Sequence, residues 1–219
     1  MEIYNWEEYQ AREWDERYPE SVRGFNAWRN LRSVEQAPQV LLEERRSRAA
    51  PSPCIFVSHR QADKIPAIRI AYLACLAGFD YWLDVLDPLI NSLPGASPSG
   101  PTPRQKAYAI AGIVEMALLN STHVVAVMTP RTEGSQWVPY EYGRVKEPLA
   151  KTLQACCWVD PRMHFNKLPY YLHLGKITKS EAQLRAWLRT EARKHGIAGR
   201  NCSWVRPIPS KLGDISINN

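Results

Sequence analysis

The chain has 219 residues, of which 45% are hydrophobic and 23% charged, and its formal net charge is +6. This length allows one main domain with extensions and is too short for two ordinary domains plus linkers. Because no apolar run reaches about 18 residues and the amino terminus is charged and aromatic, the sequence predicts a cytoplasmic protein without a transmembrane helix or a signal peptide.

The positive charge is unevenly distributed along the chain. Residues 1–48 hold 8 of the 28 basic and 10 of the 22 acidic residues, which leaves 20 basic and 12 acidic residues beyond them. Such an excess can steer an anionic small molecule or a nucleic acid. No basic run interleaves with aromatic residues as in a nucleic-acid module, so we expect a small anion and neither a nucleic acid nor a membrane as partner.

The cysteines and histidines show no metal-binding spacing. There are five of each, with no CxxC pair and no HExxH motif. Cys54, Cys156 and Cys157 fall in apolar, strand-like runs, and Cys75 falls on a helical pattern. We therefore expect the cysteines to be small core residues in a reducing compartment, and no metal site.

Three segments with different compositions divide the chain. In residues 1–50, aromatic and aliphatic residues at near-helical spacing predict one or two short helices, which either pack on the main domain or form a partner or self-association surface. The run from 49 to 53, Ala-Ala-Pro-Ser-Pro, marks a boundary. We expect the main domain over residues 51–195 and an irregular tail over 196–219.

Alternating strand and helix patterns in the main domain predict an α/β fold. The expected architecture is a three-layer, flavodoxin-like parallel sheet of about five strands, with a helix at the carboxyl end. The predicted strands are 54–58, 79–84, 122–128, 153–159 and a short edge strand at 171–174. The predicted helices follow residue 63, span about 104–120, begin near Pro139 and span 180–195. In the helix at 104–120 the expected buried stripe is Ala107, Ile110, Ala111, Val114 and Leu118.

Two loops of this domain are candidates for ligand contact. Helix amino-terminal N–H groups next to Arg60 and Lys64 suit a phosphate, although no glycine-rich fingerprint indicates a P-loop or a dinucleotide fold. The loop at 85–103 is rich in proline and glycine, which predicts a mobile lid.

The stretch from 121 to 147 joins a buried strand to a helix that presents one carboxylate, that of Glu141. A buried strand ends at Thr129-Pro130, a polar loop follows, and Pro139 is expected in the first turn of a helix capped by Ser135 or Gln136. Trp137 and Glu141 are four residues apart, so they share a face of that helix. Ligands bind at this edge of open α/β sheets, although Glu141 could also be an ordinary surface residue of an amphipathic helix.

Three local patterns together resemble the Toll/interleukin-1 receptor (TIR) domain over residues 54 to about 150. The first is Phe56-Val57-Ser58-His59 with Asp63, and the second is Gly78-Phe79 leading to Trp82-Leu83-Asp84 and a long loop. The third is Asn120-Ser121-Thr122 before an apolar strand, followed by Ser135, Trp137 and Glu141 in an S-x-W-x-x-x-E arrangement. The resemblance implies a TIR fold.

The resemblance also implies one of two functions. Many bacterial and plant TIR domains cleave NAD⁺ at the nicotinamide–ribose bond with a glutamate that matches Glu141, and stand-alone bacterial members of Thoeris anti-phage systems make cyclic ADP-ribose isomers. Other TIR domains only assemble with one another. In the first case NAD⁺ is a substrate and no cofactor is needed, and a downstream effector would sense only the nucleotide signal.

The enzymatic interpretation assigns roles to eight residues. Glu141 would stabilise the oxocarbenium-like transition state. Trp137 would position Glu141 or cover the ribose, or else be a core residue, and Ser135, which begins the motif, would bind the substrate. Trp82 and Asp84 would line the nicotinamide or ribose side, and Ser58, His59 and Arg60 the pyrophosphate side. For His59 and Asp84 a structural role in a loop is the alternative.

Three hypotheses remain open at this point. They are an NAD⁺ hydrolase or cyclase, a non-catalytic TIR interaction module, and a nucleoside N-glycosyl transferase that uses a glutamate nucleophile. For the first we expect self-association, or a phage-derived trigger, to order the loop at 85–103 over NAD⁺. A closed site would exclude water and favour a cyclic product over linear ADP-ribose.

Overall fold

A computed structural model describes residues 53–84, 90, 102–119, 121–145, 154–164, 168–199 and 211–212. Within them, five strands form one parallel sheet in the order β2-β1-β3-β4-β5. The strands are β1 (Cys54–Ser58), β2 (Asp80–Trp82), β3 (His123–Met128), β4 (Ala155–Val159) and β5 (Lys176–Thr178). The helices are α1 (Lys64–Leu76), α2 (Pro103–Leu119), α3 (Trp137–Arg144) and α4 (Glu181–Lys194). The predicted α/β, flavodoxin-like fold is confirmed.

The three central strands are buried on both faces. Every residue of β1, β3 and β4 is buried, including all six residues of His123–Met128. Runs of valine, isoleucine and cysteine suit this position because helices cover both faces of a parallel sheet, so neither face needs polar side chains.

Alternate residues of these strands point into two separate cores. On one face, Val57, Val125 and Trp158 pack with α1 and α4. On the other face, Phe56 and Met128 pack with α2 and α3. The predicted three layers therefore form, and α3 is fixed on the second face.

Two glycines occur where a side chain cannot be placed without strain or collision. Gly78 follows α1 with φ 97°, a left-handed conformation that favours glycine and turns the chain into β2. A Cβ on Gly175 would collide with the Tyr142 hydroxyl and the Ala155 carbonyl oxygen. Gly175 thus allows α3, through Tyr142, to pack closely against the start of β4.

The edge strand lies later in the chain than the sequence predicted. Residues Tyr170–Leu174 form a 3₁₀ helix, and the fifth strand is Lys176–Thr178. Local bonds explain the difference, because the Leu172 N–H donates to the Pro169 carbonyl and the Gly175 N–H to the Leu172 carbonyl. Only Leu172 of the 3₁₀ helix is buried, so the run lacks the alternating burial of an edge strand.

Three smaller predictions are also corrected. Strand β2 is half as long as the predicted 79–84, and Ala107 of the expected α2 stripe is exposed. Cys54, Cys156 and Cys157 are free and buried, as expected, but Cys75 is disulfide-bonded. The disulfide at Cys75 does not fit the predicted reducing compartment, where disulfides are rare.

Several predictions fall outside the described residues. They are the helices of residues 1–50, the lid at 85–103 apart from residues 90, 102 and 103, and most of the tail after residue 199. Among the described helices, none is long and apolar enough to cross a membrane.

Candidate active site

Glu141 is buried against the carboxyl end of β1. Its side chain lies on α3, only 7% of the residue is exposed, and its Oε2 accepts a hydrogen bond of 2.5 Å from Ser58 Oγ. Ser58 is the last residue of β1 and is itself 1% exposed. The alternative that Glu141 is an ordinary surface residue of an amphipathic helix is therefore wrong.

The geometry of α3 explains why this glutamate is covered. Val138 and Tyr142 are buried and anchor the eight-residue helix on the sheet. Glu141 comes three residues after Val138, about 60° away around the helix axis, so it lies at the border of the buried stripe. From this position its side chain reaches Ser58 at the end of β1.

Burial raises the pKa of Glu141 to about 7. Loss of solvation is the largest cause, the hydrogen bond from Ser58 opposes it, and the negative charge of Asp84 adds to it. Glu141 therefore changes its charge near neutral pH. A carboxylate with this property beside a second carboxylate is typical of a catalytic site.

His59 brings Asp84 to the same edge of the sheet. Its Nε2 lies 3.3 Å from Asp84 Oδ1, but the two atoms are not aligned as a hydrogen bond. Its Nδ1 is 3.3 Å from the Val57 carbonyl oxygen. The His59 side chain is almost fully buried, whereas that of Asp84 is 34% exposed. Asp84 can thus contact a ligand, while the buried His59 packs against the protein side of Asp84.

A buried carboxylate, Asp63, joins the loop after β1 to the loop after β3. It is 0% exposed, and its Oδ2 accepts a hydrogen bond of 3.0 Å from Thr129 Oγ1. Its Oδ1 has no hydrogen-bond partner among the described residues, and burial raises its pKa. The Thr132 hydroxyl accepts from the Thr129 N–H at 2.9 Å and closes the second loop.

Two arginines connect the same loops from outside. Arg60 Nη1 donates to the Arg131 carbonyl oxygen, and to that of Glu133 at 3.4 Å. In return, Arg131 Nη1 donates to the Ala62 carbonyl oxygen at 3.2 Å. Arg60 is exposed and lies beside Ser58 and His59 in the loop, so its predicted contact with a pyrophosphate stays a prediction.

The remaining candidate residues differ in exposure. Ser135 Oγ accepts a 3.3 Å hydrogen bond from the Val138 N–H, so it caps the first turn of α3, although Gln136 holds the N-cap position. Trp137 is 45% exposed and packs edge-on against Tyr140. Trp82 is 1% exposed and stacks on Phe56 with ring centroids 4.7 Å apart. Any contact of these residues with substrate stays a prediction.

Sequence reasoning missed the polar network of Asp63, Thr129 and Thr132. Asp63 was part of the resemblance but had no assigned role, Thr129 was interpreted only as the end of a strand, and Thr132 had no role. A signal was present, because Thr-Pro-x-Thr after a buried strand can form turns in which hydroxyls bond nearby backbone groups. Nothing local in the sequence indicates that the partner of Thr129 is a residue 66 positions earlier.

The described residues contain no cluster of three or more His, Cys, Asp or Glu that could hold a metal ion. Neither a protein-family model, nor a curated protein, nor a solved structure matches this chain. A functional proposal therefore depends on the residues of this site and on their geometry.

Proposed function

We propose that this chain is a TIR-like enzyme that cleaves NAD⁺ at the nicotinamide–ribose bond. The observation that carries the proposal is Glu141, a buried carboxylate with a raised pKa, held by Ser58 at the carboxyl edge of a parallel sheet. Open α/β sheets bind ligands at this edge. Asp84 provides a second carboxylate there.

The reaction needs negative charge more than it needs an acid. Nicotinamide leaves as a neutral molecule from a cationic precursor, so the leaving group needs no proton, and the transition state has oxocarbenium character. An ionised Glu141 near the anomeric carbon would stabilise that positive charge more strongly than it stabilises the ground state. Its low exposure keeps the local dielectric low, which strengthens the interaction.

Neighbouring residues would prepare Glu141 for this role. The Ser58 hydroxyl fixes one carboxylate oxygen, so the other oxygen stays available to the ribose. Asp84, supported by His59, would bind the ribose or nicotinamide side. In this proposal Arg60 contacts the pyrophosphate, and Trp137, one turn before Glu141, covers the ribose from its exposed position.

The product and the setting belong to the same proposal. We place the enzyme in the cytoplasm, where it would make a cyclic ADP-ribose signal, with anti-phage defence as the setting that the TIR resemblance suggests. Self-association would order the loop at 85–103 over the substrate. An effector would then meet the protein only through the nucleotide signal.

One observation favours a second candidate, the nucleoside N-glycosyl transferase. Glu141 and Asp84 form a carboxylate pair, and such a pair can divide nucleophilic and acid roles. Burial of the Glu141 carboxylate costs stability, and this cost has a functional reason in an enzyme but none in a non-catalytic module.

Product analysis separates these functions. Purified protein is incubated at several concentrations with NAD⁺ and, separately, with nucleosides plus a free base, and the products are resolved by chromatography. We expect nicotinamide release from NAD⁺, a cyclic product, and specific activity that rises with protein concentration. Base exchange between nucleosides without NAD⁺ cleavage would favour the transferase, and no turnover of either substrate would favour the interaction module.

Two substitutions are expected to move the pH dependence of cleavage in opposite directions. If ionised Glu141 is the active form, wild-type activity rises with pH through about 7. Asp84→Asn removes a charge that raises the pKa of Glu141, so the rise moves to lower pH. Ser58→Ala removes a hydrogen bond that lowers this pKa, so the rise moves to higher pH.

The measurement is kcat/KM for NAD⁺ from pH 5 to 9 for the three proteins. Arg60→Ala is the matched control, because it lies in the same loop and is not a cause of the Glu141 shift. It should raise KM and leave the pH at half-maximal activity unchanged. Profiles that coincide for all proteins would show that Glu141 does not control the reaction.

A further inference from the structure

A cavity of about 430 Å³ lies next to α3, and neither Glu141 nor Ser58 lines it. Its walls come from the end of β3, the loop to α3, the first turn of α3, the segment after β4 and the neighbouring 3₁₀ helix. This volume falls in the range of small-molecule sites, about 300–1,000 Å³.

Helix geometry separates this cavity from the candidate active site. Pro139 lines the cavity and comes two residues before Glu141, which places them about 200° apart around the axis of α3. Val138 and Tyr142 lie between the two flanks and pack on the sheet. The helix thus stands between the cavity and Glu141.

The walls of the cavity are suited to a flat ring. Met128 and Met163 contribute thioethers, Pro130 and Pro139 contribute pyrrolidine rings, and Tyr171 contributes an aromatic ring. Thioethers adapt to irregular shapes and contact aromatic rings favourably. A tyrosine ring adds a stacking surface or an edge-to-face contact.

The charges around the cavity disfavour an anion. Among the described residues of the lining, the one lysine or arginine is Arg162, and its Nη2 and Nε donate to the carboxylate of Asp160 at 2.7 and 2.9 Å. Glu133 also lines the cavity, so a phosphate there would face a carboxylate and an arginine that is already neutralised. The hydroxyls of Ser135 and Tyr171 and the imidazole of His164, which also lines the cavity, provide polar groups for a neutral ligand.

We propose that this cavity binds an uncharged, planar heteroaromatic molecule of nucleobase or nucleoside size. The ring lies among Met128, Met163 and Tyr171, and its polar edge meets the hydroxyls of Ser135 and Tyr171. This site lies on the opposite flank of α3 from Glu141 and shares only Ser135 with the candidate residues of the active site, and the proposal does not depend on NAD⁺ cleavage.

Calorimetry with the full-length chain tests the proposal. The probes are nicotinamide, adenosine and adenosine monophosphate, because the last two share a base and differ by one phosphate. We expect one site per chain for nicotinamide or adenosine and at least about tenfold weaker binding of the monophosphate. Affinities equal in wild type and Glu141→Gln would locate binding outside the candidate active site.

Substitutions in the cavity decide its location. Met163→Trp fills the space and should weaken binding at least about tenfold, and Tyr171→Phe, which keeps the ring, should weaken it severalfold. Leu174→Trp is the matched control, since Leu174 is 63% exposed and does not line the cavity. Melting temperatures confirm that each variant is folded.

Three results would overturn the proposal. They are the absence of saturable binding for all three probes, tighter binding of the monophosphate than of adenosine, and affinity that Met163→Trp and Tyr171→Phe leave unchanged. The first two reject the ligand class, and the third rejects the location. None of them bears on whether the chain cleaves NAD⁺.

Discussion

Glu141→Gln is expected to lower the rate of NAD⁺ cleavage about 10²-fold or more, with a smaller change in KM. Glutamine has nearly the shape of glutamate, and its carbonyl oxygen can still accept the hydrogen bond from Ser58. What disappears is the negative charge near the developing cation. Steady-state nicotinamide release, with substrate held well above KM, measures this loss.

Asp80→Asn is the matched control for this substitution. Asp80 is partly buried and begins β2, where its backbone lies opposite Cys54 of β1 in the strand register. This is the edge of the sheet away from Glu141. The control should keep wild-type turnover. Near-wild-type turnover of Glu141→Gln would refute the role given to Glu141, whereas an equal loss in both variants would indicate damage to the fold.

The same substitution has a stability effect with a defined sign. Burial raises the pKa of Glu141 from 4.5 to about 7, so the folded state prefers the protonated form. The wild type therefore loses stability as the pH rises from 4.5 through 7, by about 3 kcal/mol in order of magnitude. Glu141→Gln cannot ionise, so its unfolding free energy should lack this decline in urea titrations at pH 5 and pH 8.

Much of the fold could be predicted from the sequence because its signals are local. The apolar runs that became β1, β3 and β4 are bounded by turn residues, and Ser180 caps α4 as its position before a periodic stripe indicates. The weak edge strand could not be located in this way. Lys176–Thr178 has three residues and one exposed lysine, while the preceding apolar run satisfies its bonds in a 3₁₀ helix.

The candidate site was predictable in composition but not in exposure. The spacing from Trp137 to Glu141 placed both residues on one helix, and the chain order placed Ser58 at the same edge of the sheet. The burial of Glu141 depends on how closely α3 approaches β1, which is decided by Val138, Tyr142 and the missing side chain of Gly175. Such long-range packing leaves no periodic trace in the sequence.

Acidification is expected to destabilise the protein through His123. This residue lies at the start of β3 and is 0% exposed. Its pKa is lowered from 6.5 to about 4, and the largest cause of this shift is burial. His195 and Lys194 lower the pKa further, and Glu191 opposes them. Its Nε2 is 3.6 Å from Glu191 Oε2, and among the described residues neither atom has a hydrogen-bond partner.

The sign of this effect is opposite to that at Glu141. Between pH 4 and 6.5 the unfolded chain binds a proton at His123 that the folded chain does not, so stability falls as the pH falls. A shift from 6.5 to about 4 corresponds to about 3 kcal/mol in order of magnitude. The rings of Phe79, Trp187 and His195 pack edge-on against the imidazole, which is 0% exposed, so the added charge would be poorly solvated.

His123→Asn isolates this contribution. Asparagine does not titrate in this range, and its amide can keep the contact that His123 Nδ1 makes with Thr122 Oγ1 at 2.8 Å. We expect the unfolding free energy of the variant to change less than that of the wild type between pH 7 and pH 4, even if the variant is less stable at pH 7. His173→Asn, which replaces an exposed histidine, should follow the wild-type slope.

Urea unfolding at pH 7, 5.5 and 4 gives these slopes, and NAD⁺ cleavage at pH 7 gives an independent readout. Because His123 lies at the amino end of β3 and Glu141 near the carboxyl end of β1, His123→Asn should leave cleavage at pH 7 close to wild type. Parallel slopes for wild type and His123→Asn would show that His123 is protonated inside the folded protein. In that case the Glu191 carboxylate compensates for burial of the charge, and acid sensitivity must come from carboxylates whose pKa is lowered in the folded state, such as Asp160 and Glu181.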